Sequence, residues 1–197
     1  MKNILVMKNS TRLLYTIASA IVLFSLVSCS GNLTYQQALD KNRKSLESME
    51  KLEDAQFLVE AQSLNLLEQR ANELAMQKGY SAAVVNFAKK NADAFEDFGD
   101  DLAKVARKEK MKLPSEMKNE HAQKLDELSS IARSDFDSRF IDILEDINDE
   151  HTELFENQAS EANDDDVRGF AASKLGILRS NLEEMSKVED ELMQTHR

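Results

Sequence analysis

The chain has 197 residues with 25 Lys and Arg against 36 Asp and Glu, a net charge of −11, and only 5 Gly, 1 Pro, 1 Cys and no Trp. That acidity argues against nucleic acid as a partner, since phosphate binding needs clustered cations. So little turn chemistry beside abundant Ala, Leu, Glu and Lys excludes a β protein and leaves an all-α class, and one cysteine excludes an internal disulfide.

Lys2, Lys8 and Arg12, with no acid among them, precede an apolar run from Leu13 to Val27 that is broken only by Tyr15, Thr16, Ser19 and Ser25. Charge followed by apolar residues is the layout of a signal peptide. The run, roughly 15 residues, is shorter than the ~20 that a spanning helix needs. Met7-Lys8-Asn9 repeats Met1-Lys2-Asn3, so a start at either methionine keeps the layout. Leu26-Val27-Ser28-Cys29 at the end of the run resembles a bacterial lipobox. On that resemblance residues 1–28 are removed, and Cys29 carries diacylglycerol on its sulfur and an acyl chain on its nitrogen. Two or three chains, at ~0.8 kcal/mol per buried methylene, hold far better than one. Ser30, where an inner-membrane lipoprotein resembles Cys-Asp, points to the outer membrane, lipid-anchored, facing periplasm or cell surface. Removing three of the 25 basic residues leaves 22 against 36 acids, a charge of −14.

Ser30-Gly31-Asn32 is a polar tether, and Thr34 caps a helix starting at Tyr35. Leu39, Leu46, Met49 and Leu52 give this segment a sparse stripe, as in an exposed stalk helix or a weak partner-binding seam, so 29–53 is expected to be lipidated cysteine, tether and stalk. From 54 to 195 four helices are expected. Phe57, Ala61, Leu64, Leu67, Ala71 and Leu74, in steps of three and four, line the first, which ends at Gly79. Ser81 caps the second, lined by Val84, Ala88, Ala92, Phe95, Leu102 and Val105 and stopped before Pro114. The third carries Leu125, Leu128 and Ile131, breaks near Ser134-Asp135, and resumes through Phe136, Phe140, Ile143, Ile147, His151 and Leu154. Asn163-Asp164-Asp165-Asp166 opens the fourth, whose inward residues are Phe170, Ala171, Leu175, Leu178, Leu182, Met185 and Leu192. That acidic run lacks the glycine and the final glutamate of an EF-hand. Amphipathic helices with short connections predict an antiparallel four-helix bundle.

Seven strings carry a family resemblance: Asp54-Ala55-Gln56-Phe57-Leu58, Asn86-Phe87-Ala88, Leu113-Pro114, Glu120-His121, Ser134-Asp135-Phe136-Asp137, Leu154-Phe155-Glu156, and Gly169-Phe170-Ala171-Ala172-Ser173-Lys174-Leu175 through Leu178-Arg179. In this order and spacing, from Asp54 to Leu192, they resemble the ferritin-like outer-membrane protein family of unknown function, the exported bacterial domain numbered four-one-four-two. The resemblance implies a ferritin-like bundle. Many members carry histidines on the later helices, suited to a metal site, where this chain has Phe95, Asn148 and Asn181.

The residues themselves offer no Glu-x-x-His, the pair by which a di-iron bundle aims its ligands. The nearest approach to a metal set is His151 with Asn148, Glu68, Asp146 and Glu184. His151 is expected as a core histidine with a hydrogen-bond partner, and His121 and His196 as solvated. The acidic runs around Asp97 and Asp146 read as solvated helix faces. No catalytic constellation or glycine-rich phosphate loop is legible. The expectation is therefore a non-enzymatic envelope lipoprotein with no cofactor beyond its lipid, binding the membrane and an unknown protein partner. The alternative is a ferritin-like metal-binding or oxidative-stress protein.

Overall fold

The computed structural model describes residues 32–195, and every regular element among them is a helix. In chain order these are α1 (Tyr35–Ser45), α2 (Met49–Lys78), α3 (Ala82–Lys108), α4 (Asn119–Ser130), α5 (Phe136–Glu161) and α6 (Asp165–Thr195). Cys29 and His196 lie outside the described residues.

The helix starts follow from local chemistry. Thr34 and Gln37 form a reciprocal capping box, in which each main-chain N–H donates to the other's side chain at 3.1 and 3.2 Å. Ser48 accepts from the Lys51 amide, and Ser81 from those of Ala83 and Val84. Asp164 Oδ1 accepts from the amides of Asp166 and Val167, so the acidic run does cap α6. Gly79 closes α2 because a Cβ there would stand 2.7 Å from the Ala75 carbonyl oxygen. After α3 the chain turns through Lys110, whose φ of 57° is left-handed.

Two boundaries differ from the sequence expectation. The helix expected from 54 opens at Met49, because Ser48 supplies a cap just before it. The segment expected as a stalk forms α1, which packs on α2 and buries Ala38 and Asn42. Asn42 explains why: its Nδ2 donates to the Lys112 carbonyl at 2.9 Å, and its Oδ1 accepts from the Lys112 amide at 2.7 Å. The Ser115 amide likewise donates to the Leu33 carbonyl. A strip of sequence with little apolar content is thus fastened by main-chain hydrogen bonds.

The most extensive packing joins α5 to α6 and α2 to α3, while α3 on α6 and α2 on α5 close the set; α4 lies on α2 and α5. Two aspartates interlock these helices. The Asp137 carboxylate, from the first turn of α5, accepts from the Tyr80 and Ser81 amides at 3.0 and 2.6 Å, at the entrance to α3. The Asp54 carboxylate, on α2, accepts from the Asn163 and Asp164 amides at 3.1 and 2.8 Å and from Gln158 Nε2 at 2.8 Å, at the entrance to α6. Each places negative charge at a helix N-terminus, where the dipole favours it.

Replacing Asp54 or Asp137 with Ala leaves two or more part-buried amides without their acceptor and should destabilise the fold by ~1–2 kcal/mol in a urea titration. Phe95→Ala should lose ~3–5 kcal/mol, because Phe95 is fully buried on α3. A change below ~0.5 kcal/mol for both aspartates would contradict the interlock.

Candidate functional site

Apolar side chains sort into two separate buried clusters rather than one continuous core. Their boundary runs between Ala88 and Phe95 on α3, between Ile147 and Phe155 on α5, and between Leu178 and Met185 on α6. Each gap holds a buried polar side chain: Asn91 on α3, Asn148 and His151 on α5, Asn181 on α6. On α2 the boundary falls between Ala61 and Leu64, and Asn65 and Glu68, at 1% and 0% exposure, lie just beyond it. Helical side chains lean toward their own N-terminus, so the long Glu68 side chain reaches down toward the level of Asn65. The Asn65 amide meets α3 at Gly99, where a Cβ would lie 2.6 Å from its Nδ2, and α2 is fixed in this register by Gln69 Nε2 donating to the Phe95 carbonyl. All four long helices therefore contribute to a polar belt that spans about two turns along α3, from the level of Gly99 to that of Asn91.

The belt is short of partners. Asn148 Nδ2 donates to the Leu178 carbonyl at 3.0 Å, and Asn72 Nδ2, a turn above Glu68, donates to the Glu68 main-chain carbonyl at 2.7 Å. Among the described residues, the Oδ1 of Asn65, Asn72 and Asn148, both side-chain atoms of Asn91, the Nδ2 of Asn181 and both ring nitrogens of His151 lack partners, and the Glu68 carboxyl has only the nearby Asn72 amide to hold it down. The His151 ring lies among Phe95, Phe98 and Phe155, with centroids 5.8, 5.1 and 5.1 Å away. Burial pushes the Glu68 carboxyl up to about 8 and brings His151 down to about 3, so both are neutral near pH 7.

A second cluster lies toward the surface. His121 Nε2 is 3.2 Å from a Glu150 oxygen and 3.7 Å from a Glu60 oxygen, and its Nδ1 is 2.8 Å from Ser63 Oγ. Ser63 Oγ accepts from the Lys118 amide, which leaves its proton for Nδ1 and assigns the other ring proton to Nε2, facing Glu150. Lys118 Nζ contacts both Glu60 and Glu150, Lys124 Nζ contacts Glu150 at 2.7 Å, and Tyr35 donates to Glu60 at 2.6 Å. Burial alone would raise Glu150, but hydrogen bonds from Lys124 and His121 and the nearby lysine charges bring it down to about 2. The three ligand-type atoms lie within 4.8 Å of one another, yet the Lys118 and Lys124 ammonium groups already balance the two carboxylates. Glu109, Asp164 and Asp166 also converge, with Lys108 paired to Asp166.

The structure corrects the reading of His121, expected to be solvated and without acidic companions: it is fully buried, and its companions come from α2 and α5 instead of its own neighbourhood. His151 is a core residue as expected, but without the expected hydrogen-bond partner. Of the candidates grouped with it, Glu68 and Asn148 share the belt, Asp146 is exposed, and Glu184 is half-buried and paired with Lys90. Asn65 and Asn91 were not singled out by sequence. The signal available was an asparagine at an inward helical position, with Asn91 three residues past Ala88 and four before Phe95.

The two buried groups give the stability profile opposite slopes. Glu68, raised from 4.5 to about 8, contributes stability that is complete below pH 4.5 and is lost as pH rises toward 8. His151, lowered from 6.5 to about 3, contributes stability that is present above pH 6.5 and is lost as pH falls toward 3. Each slope is ~1.4 kcal/mol per pH unit, so between 4.5 and 6.5 they cancel, and from 6.5 to 8 about 2 kcal/mol is lost. Urea titrations of the Glu68→Gln variant should stay flat above pH 6.5. An alkaline fall that persists in this variant would assign it to another group.

A family model described as a domain of unknown function (DUF4142) matches residues 38–188, a span that includes every belt residue. Neither a curated protein nor a solved structure matches the chain. The match covers most of the sequence and almost all of the helical unit, and the chain belongs to the DUF4142 family.

Proposed function

We propose that this protein is a bacterial cell-envelope lipoprotein whose ferritin-like four-helix bundle is a non-enzymatic binding or structural domain held at the outer membrane through lipid on Cys29. The observation that carries this reading is Leu26-Val27-Ser28-Cys29 at the end of a basic and then apolar leader, with α1 opening six residues beyond, at Tyr35. No described helix is long and apolar enough to cross a membrane. Outside the belt, the clustered charged side chains are engaged with one another: Glu60, Glu150, Lys118, Lys124 and His121 form a mutually balanced network. A partner would meet an acidic surface.

The belt favours a second reading, in which the bundle handles a metal. Its residues do not fit the transition-metal centre that a ferritin-like fold suggests. Such a centre uses several carboxylates with histidines at i, i+3 spacing. Here the one belt carboxylate is Glu68, the position three before His151 is Asn148, and the imidazole is enclosed by phenylalanines. The non-enzymatic reading is therefore preferred.

Expression of the full chain in bacteria with radiolabelled palmitate tests the anchor. The wild type should be labelled and partition with membranes, whereas Cys29→Ala should incorporate no label and accumulate as precursor. Label on the Cys29→Ala chain, or none on the wild type, would contradict the proposal.

A further inference from the structure

The chain is acidic as a whole, but its charge is unevenly placed. Residues 40–51 and 107–112 together hold eight Lys and Arg against four Asp and Glu, whereas the chain after residue 28 carries −14. Folding brings these two segments onto one surface. Asn42, on α1, makes both of its side-chain hydrogen bonds to the main chain of Lys112, and Ser45, Ser48 and Lys51 line a depression together with Glu109 and Lys110. Some of the cations are used locally: Arg43 pairs with Asp40, and Lys108 and Lys51 serve the group of Glu109, Asp164 and Asp166 at the edge of the surface. Lys41, Lys44, Lys110 and Lys112 are exposed and make no ion pair. Met49, 72% exposed, stands beside Ser48 at the same turn. Elsewhere the exposed charge is negative, with Asp93, Asp97 and Asp100 on α3 and Asp142, Asp146 and Asp149 on α5. The tether joins the molecule at the basic surface. The Leu33 carbonyl accepts from the Ser115 amide there, and Cys29 stands only three residues before Asn32, a span of at most about 11 Å.

We infer that the surface formed by α1 and residues 110–112 lies against the anionic phospholipid headgroups of the leaflet that holds the anchor. The inference rests on the lipid-anchor reading above and adds to it the side on which the bundle lies. A negatively charged bilayer attracts cations over about a Debye length, ~8 Å at physiological salt. Four unpaired lysines make a weak patch in free solution, but a tether this short gives them a high local concentration of headgroups. The exposed acids of α3 and α5 are repelled by the same surface potential, so the two sets of charge favour one orientation. Met49 adds an apolar side chain at headgroup level. The acidic faces are left for a protein partner.

The test uses the lipidated chain, purified from bacterial membranes and reconstituted in phosphatidylcholine vesicles with or without phosphatidylglycerol. A fluorophore is placed on Ser45→Cys, at the far end of α1 and about 16 Å along the helix from Thr34, or on Ser180→Cys, exposed on α6, which packs on α3 and α5. Quenching by lipids that carry a nitroxide on the headgroup reports which position touches the bilayer. In anionic vesicles the Ser45 probe should be quenched several-fold more than the Ser180 probe. The difference should shrink in phosphatidylcholine alone and in about 0.5 M NaCl, where the Debye length falls below 5 Å. Reversing Lys41, Lys44, Lys110 and Lys112 together to Glu should remove it while palmitate is still incorporated, and the salt comparison on the lysine-bearing chain carries the test if that variant does not fold. Equal quenching of the two probes in anionic vesicles, or Ser45 quenching indifferent to both salt and charge reversal, would overturn the orientation and leave the anchor standing. A chain that takes up no palmitate would overturn both.

Discussion

A carboxyl group without a counter-charge, Glu68, sits in the interior of a helical protein, and the arrangement around it follows from the difficulty of keeping it there. An isolated carboxylate in an apolar interior is so unfavourable that it takes up a proton instead. Glu68 does so, with burial raising it to about 8. Asparagine amides, able to donate and accept without charge, are the neighbours that tolerate either state. The chain buries at least one on each long helix between or beside the two apolar clusters: Asn65, Asn91, Asn148 and Asn181.

This belt also constrains how the helices align. Above it, Leu64, Leu67, Phe87, Phe140 and Leu144 pack together; below it, Phe57, Phe98, Phe155 and Phe170 form an aromatic cluster with edge contacts near 5–6 Å. Sliding one helix by a turn would bury an asparagine among phenylalanines and move a leucine into the polar layer. Polar residues in a helical core fix register in this way at some expense in stability. The Asp54 and Asp137 carboxylates fix the same alignment from the two ends, each gripping the amides at the entrance to a neighbouring helix.

Much of the architecture was legible because helical periodicity is a local property. The spacing of Phe57 through Ala71 and of Val84 through Leu102 marks buried faces that the structure confirms, and Thr34, Ser81 and Asp164 cap helices for reasons that a few adjacent residues contain. Convergence between helices was not legible. Nothing near His121 in sequence announces Glu60 and Glu150, which lie 61 and 29 residues away. Nor does an inward asparagine signal that three other helices also bury asparagines. The α1 segment was misread for a related reason: its attachment rests on Asn42 meeting the main chain at Lys112, which leaves no trace in an apolar pattern.

The state of Glu68 links the stability profile and the alignment of the helices. Side-chain carboxyl carbon shifts, followed by NMR across pH and assigned through Glu68→Gln, report that state directly. The account predicts that the Glu68 resonance titrates with a midpoint near 8. A midpoint near 4.5, the ordinary value for glutamate, would mean that the carboxyl reaches water and that the belt is not a closed interior layer.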